Sequence, residues 1–245
     1  MKAVATTGRD FAEASYKTVD GSIVTEQWER LDTEAVAAGR PWRTFPWYLG
    51  QRNYAGTYWC ATQGAHVGYE SRLELSRLML ADFDPRSRRI VSQPFQLRGM
   101  VGGEGIRRVP DYLVCTVGSP LVIDVKPSRA LHETDVAHLL DVTRQVVESR
   151  GWRYEIACEP AKVEFTNVRF LAGYRHARLF NTDVLDAVRS SMAGEDGMRV
   201  GEIVQSTTYP KPLALACLMH LLWRHEFTFD ISRRLSPTTP VQAVL

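Results

Sequence analysis

The stretch VPDYLVCTVGSPLVIDVKP, Val109 to Pro127, joins two apolar runs through Gly118-Ser119-Pro120 and reads as a β-hairpin. It carries Asp111, then twelve residues, then Asp124-Val125-Lys126. Side chains alternate faces along a strand, so Asp124 and Lys126 share one face while Leu121, Ile123 and Val125 share the other. The apolar set turns to the core, which leaves Asp124 and Lys126 aimed together at something polar. The face of Asp111 depends on register. A loop of two residues (Gly118-Ser119) or four (Val117 to Pro120) sets Asp111 opposite Lys126, whereas a three-residue loop turns it to the wrong side. Lys126 precedes Pro127, which favours extended backbone at the end of the strand.

Working outward, ESRLELSRLMLADFDP has helical spacing and stops at Pro85. IVSQPFQLRGM reads as one strand, VGGEG as a glycine turn and IRRVPDYLVCTV as the returning strand. After the hairpin, ETDVAHLLDVTRQVVESRG is an amphipathic helix closed by Gly151, and WRYEIACE is a last strand. The sum is an antiparallel meander between helices, ending near residue 160. Upstream, the aromatic segment from Pro41, PWRTFPWYLGQRNYAGTYWCAT, suits short strands joined by glycine turns. Residues 1–40 are polar and mixed, and read as a tail with one helix in TEQWERLDTEAVAAG. Downstream, NTDVLDAVRSSM, RVGEIVQST and KPLALACLMHLLWRH are three helices, and EFTFDISRRLSPTTPV reads as two short strands. Three helices and a ribbon suit a winged helix-turn-helix. The expected organisation is thus 1–40, 41–160 and 161–245.

Composition bounds the class. The chain has 245 residues, 44% hydrophobic and 24% charged, with a net charge of +2; such a balance is ordinary for a globular protein. No run approaches a membrane span, and the start lacks a signal-peptide apolar region, so the expected location is cytoplasmic, with no membrane partner. Cys60, Cys115, Cys158 and Cys217 form no CxxC pair and read as reduced structural cysteines. The small net charge leaves any polyanion contact to local clusters: Arg86/Arg88/Arg89, Arg107/Arg108 and Arg233/Arg234.

Two carboxylates converging on one point make a hard oxygen site suited to Mg²⁺ or Mn²⁺. A nearby lysine can orient a water or stabilise charge developing on a phosphate. The competing reading of Asp111, Asp124 and Lys126 is a surface hairpin with an ion pair of small energetic consequence. The preceding helix adds Glu70 and Glu74, four apart and on one face. Ser71-x-x-Glu74 also spells a capping box, so capping and catalysis compete for Glu74.

Taken in order, S-x-x-E, F-D-P, Q-P-F, V-P-D and D-V-K resemble the TnsA-like endonuclease subunits of heteromeric transposases, members of the PD-(D/E)xK superfamily. The resemblance covers roughly residues 41–160. It implies an α/β fold: a restriction-endonuclease-like core, a mixed sheet flanked by helices, with a mainly helical winged-helix-like C-terminal domain. It implies Glu74 as catalytic acid, Asp111 as metal-binding aspartate and Asp124-Val125-Lys126 as the last motif, with Lys126 the catalytic lysine and Glu70 in reserve. Glu74, Asp111 and Asp124 would hold Mg²⁺, for which Mn²⁺ substitutes. The implied activity is hydrolysis of phosphodiesters at the 5′ ends of a mobile element. Implied partners are double-stranded DNA at the transposon ends, a DDE-type integrase subunit and an ATP-dependent regulator, with nucleoid association in the complex.

Other motifs carry blander readings. His132/His138 and His220/His225 lack helical metal-ligand spacing. Trp42, Phe45, Trp47, Tyr48, Tyr54, Tyr58 and Trp59 either stack on bases or pack one edge of the fold. The alternatives to a transposase nuclease are a stand-alone restriction or repair nuclease, and a DNA- or protein-binding module that no longer cuts.

Overall fold

The computed structural model describes residues 10–43, 54–192 and 197–244. Phe45, Trp47 and Tyr48 of the aromatic segment lie outside the described residues. The chain divides into two compact units, Met1–Leu78 with Arg86–Glu159, and Met79–Pro85 with Pro160–Leu245.

The first unit begins with strands β1 (Phe11–Lys17) and β2 (Ile23–Gln27), a short 3₁₀ turn at Trp28–Arg30 and helix α1 (Thr33–Ala38). The expected N-terminal tail is therefore corrected where β1 and β2 stand, while the helix expected after them is present as α1. Ala12, Ala14 and Tyr16 alternate inward and are buried, and β1 pairs antiparallel with β2 on one side and, on the other, with the strand at Gln96–Val101. Asp32 caps α1, its side chain accepting from the N–H groups of Glu34 and Ala35 at 2.9 and 3.2 Å. Then come the β3 (Gly56–Cys60) and β4 (Ala65–Tyr69) hairpin and helix α2 (Arg72–Phe83).

The two long strands expected next are each broken in two. IVSQPFQLRGM supplies β5 (Ser87–Ser92) and β6 (Gln96–Val101), and IRRVPDYLVCTV supplies β7 (Glu104–Arg108) and β8 (Tyr112–Thr116). The breaks fall at Gln93-Pro94 and Val109-Pro110-Asp111, where proline removes a ladder donor. Gln93 adopts φ +46°, a left-handed conformation unusual outside glycine. Gly102 and Gly103, at φ +59° and +86°, make the β6–β7 turn, which such a backbone requires.

Each broken run passes from one sheet to another. The first sheet has order β2-β1-β6-β7 and is antiparallel. The second contains β9 (Leu121–Val125), helix α3 (Thr134–Glu148) as a crossover, and β10 (Arg153–Ala157), in the order β10-β9-β8-β5. Because β10 runs parallel to β9, this sheet is mixed, as the resemblance implies, rather than the antiparallel meander read from the segments. Gly151, at φ +79°, ends the α3 turn.

One apolar cluster joins both sheets and α3, through Ala14, Leu97, Ile106, Leu113, Val122, Leu140 and Val147. At its heart Trp28 lies 5.4 Å from Phe95 and 5.2 Å from Trp152, between ring centroids. Arg150 covers both indoles and donates to Trp28 O at 2.6 Å and Leu31 O at 2.9 Å, tying the N-terminal segment down.

The second unit is mainly helical: α4 (Lys162–Leu171), α5 (Thr182–Ser191), α6 (Val200–Ser206) and α7 (Lys211–Trp223). The sequence reading missed α4. Two-residue strands β11 (Phe227–Thr228) and β12 (Gln242–Ala243) pair antiparallel, so most of the expected ribbon is loop. No described helix is long and apolar enough to cross a membrane.

Candidate functional site

The hairpin register differs from expectation by two residues. Tyr112 pairs with Ile123, Leu113 with Val122 and Val114 with Leu121. Cys115 and Thr116 remain paired with β5 instead, which peels β8 away from β9 and widens the loop. Asp111 lies just before these pairs, so Lys126 is not its ladder partner as expected.

Asp111 sits at a branch point of the backbone. Its N–H donates to Ile123 O at 3.1 Å, and its carbonyl accepts from Gln93 N at 2.8 Å. The carbonyl thus serves β5, and the carboxylate replaces it toward β9: Oδ2 accepts from Val125 N at 2.6 Å. Lys126 Nζ lies 3.7 Å from the same oxygen and donates to Val125 O at 3.0 Å. Burial pushes the Asp111 carboxyl above the usual range; the Lys126 charge opposes this and Asp124 adds to it.

Asp124 is fully buried, not on the open polar face expected. Arg108 holds it, with Nε donating to Oδ2 at 2.9 Å and Nη2 2.8 Å from Oδ1. The Tyr154 hydroxyl also donates to Oδ2. Burial pulls the Arg108 guanidinium down, but its bond to and attraction for Asp124 prevail and hold it above its ordinary value. Burial, then Asp124, push the Tyr154 phenol up.

Glu74 adopts the cap geometry. Ser71 Oγ accepts from Glu74 N at 3.1 Å, while the Glu74 carboxylate accepts from the Ser71 hydroxyl at 3.0 Å and from Glu70 N at 2.8 Å. Burial first, with Asp111 and Glu70 adding, pushes its carboxyl up to about 7. The influence of Asp111 on it brings the helix start and the hairpin into one electrostatic site.

Gln93 is a site residue the sequence reading did not assign a role. Its amide donates to Glu70 Oε1, its Oε1 accepts from Arg43 N at 3.1 Å, and its backbone N–H reaches Asp111. Arg43 also stands 3.6 Å from Glu70 Oε1. The signal was Gln-Pro within an otherwise strand-like run.

Among the described residues, no three acidic, cysteine or histidine side chains form a ready-made metal cluster. The donor set nevertheless suits a small hard cation. Asp124 Oδ1 is buried and has no hydrogen-bond donor of proper geometry, although it is ion-paired with Arg108. Among the described residues no donor reaches Asp111 Oδ1, since its bonds use Oδ2.

The remaining candidates are divided between packing and exposed positions. His220 is buried, with Nδ1 bonded to Tyr174 O at 2.6 Å and its ring stacked on Phe180. His225 bonds Phe83 O, exposed His138 pairs with Glu104, and His132 is exposed. Tyr58 is buried and Trp59 packs on His66, while Tyr54 is exposed under Arg72. None of the four cysteines is in a disulfide, and Cys60 and Cys217 are buried. Compared with known proteins, the chain matches no family model and no curated protein.

Proposed function

We propose that the chain is a metal-dependent DNA endonuclease, the 5′-end-cutting subunit of a heteromeric cut-and-paste transposase, built on a restriction-endonuclease-like core with a winged-helix-like C-terminal domain. The carrying observation is the convergence of Asp111, Asp124 and Lys126 from neighbouring strand segments, beside the Glu74 helix start. The ordered resemblance of S-x-x-E, Q-P-F, V-P-D and D-V-K to such nucleases supports the same reading.

Asp111, Asp124 and Glu74 would hold Mg²⁺, or Mn²⁺ in its place; Asp111 keeps one oxygen without a donor, while Asp124 would share its carboxylate with Arg108. When bound, such an ion polarises a phosphodiester oxygen and lowers the pKa of a water. Lys126, anchored on Val125 O and Asp111, presents its ammonium to the negative charge of the scissile phosphate. Val125 N–H and Gln93 N–H fix Asp111 from both sides, so its carboxylate is positioned before substrate arrives. Arg108 and Tyr154 orient Asp124. Partners in this reading are duplex transposon ends, a DDE-type integrase and an ATP-dependent regulator, in the cytoplasm at the nucleoid.

The test is cleavage of a plasmid carrying the element ends, with Mg²⁺ and a DDE-type integrase subunit. Asp111→Ala should abolish 5′-end cutting and leave the circular dichroism spectrum unchanged; undiminished cutting by that variant would reject the site. A second reading, a binding module that does not cut, is favoured by Arg108, whose guanidinium already neutralises Asp124. An anomalous map of Mn²⁺-soaked crystals separates the two, since only the nuclease reading requires an ion between the aspartates.

A further inference from the structure

The second unit holds a cavity of about 420 Å³ whose wall includes Arg233, Arg234, Ser236, Thr238 and Asp230. Both arginines are exposed, and among the described residues neither forms an ion pair. Asp230 is engaged by its own turn, its Oδ1 accepting from Ser232 N at 3.0 Å and from Ser232 Oγ at 2.6 Å.

An exposed loop with adjacent cations would ordinarily be loose, but this one is clamped. Asn167, buried on α4, donates through Nδ2 to Ile231 O at 2.9 Å and Arg233 O at 2.8 Å, and accepts from Leu235 N at 3.1 Å. Three bonds from one buried amide thus bracket the backbone of both arginines. The following turn is fixed too: Ser236 N donates to Thr239 Oγ1 at 2.9 Å, and Val200 N and Gly201 N donate to Thr239 O and Pro237 O at 3.0 and 2.8 Å. A Cβ on Gly201 would stand 3.1 Å from Pro237 O, so the glycine permits this close approach. The hydroxyls of Ser236 and Thr238 sit together at 3.0 Å on the same wall.

Unpaired guanidinium forks, neighbouring hydroxyls and a pre-set backbone are the chemistry that binds phosphate oxygens. We propose that this cavity is a second anion site, in which Arg233 and Arg234, with the Ser236 and Thr238 hydroxyls, grip the phosphodiester backbone of a polynucleotide. A polynucleotide fits better than a phosphorylated peptide because two adjacent guanidiniums and two hydroxyls offer contacts to successive phosphates, where a phosphopeptide brings one. The site would anchor a duplex without reading its sequence, and it stands independently of the acidic cluster.

The test is fluorescence anisotropy of labelled duplex DNA, and in a second arm duplex RNA, titrated with the full chain in EDTA over a salt series. Without metal no cleavage is read, so failure here and failure of the nuclease proposal remain distinguishable. Arg233→Ala/Arg234→Ala should weaken binding roughly tenfold and flatten the slope of log affinity against log salt by about 2. The tighter arm names the natural duplex. Arg169→Ala/Arg178→Ala, which removes equal charge outside the cavity, should change both far less. Wild-type affinity and slope in the cavity variant would overturn the proposal. So would an equal loss in the control variant.

Discussion

Asp111, just before β8, and Asp124, on β9, act on each other electrostatically, yet one belongs to the rim and the other to the interior. Asp111 takes a backbone N–H, shares a lysine at 3.7 Å and keeps one oxygen without a donor. Asp124 is fully buried and gripped by Arg108 and Tyr154. The two carboxylates therefore have unequal freedom: Asp111 keeps an oxygen open, which the proposed reading gives to a ligand, and Asp124 is held in place by its partners.

The strongest way to break this comparison is to remove the interior cation. Arg108→Ala leaves Asp124 buried without its counter-charge and should cost about 3–5 kcal/mol in urea unfolding. Replacing both partners by leucine should recover much of that loss. If Arg108→Ala cost under about 1 kcal/mol, the usual range of exposed pairs, the interior description would fail.

Next in size is a pH effect at the rim. The Glu74 carboxyl stands at about 7 in the folded protein against a reference of 4.5. Between those values the folded state holds the extra proton, so wild-type stability is complete below about 4.5 and is lost as pH rises through 7. At about 1.4 kcal/mol per pH unit the loss is on the order of 3 kcal/mol. Glu74→Gln, which cannot ionise, should thus gain on the wild type from pH 4 to pH 8 in metal-free unfolding curves. A constant difference across that range would mean the carboxylate is better solvated than its burial indicates. Smallest is Ser71→Ala, which removes the acceptor for Glu74 N and should cost about 1 kcal/mol in thermal unfolding.

What could be read from the chain follows the range of the interactions involved. The α2 helix ending before Pro85, the α3 helix closed at Gly151 and the β6–β7 glycine turn are local signals, and all stand in the structure. The breaks at Gln93 and Asp111 were not legible, because alternating apolar residues do not say which sheet they join. Register failed for the same reason: β8 follows β5 past the point where β9 leaves it. The N-terminal strands hid because Ala12 and Ala14 are weak hydrophobic signals, though both are buried. At the site, Asp111, Lys126 and Glu74 could be named from spacing and resemblance. The partners of Asp124 could not, since Arg108 and Tyr154 lie sixteen positions before and thirty after it.

The pairing of β1 with β6 has a practical bearing on how the protein is handled. Trimming the first forty positions as dispensable would expose a row of unmatched amides along β6 and uncover Phe95 and Leu97. Such a bare margin recruits strands from other molecules, so the shortened chain should precipitate where the longer one does not.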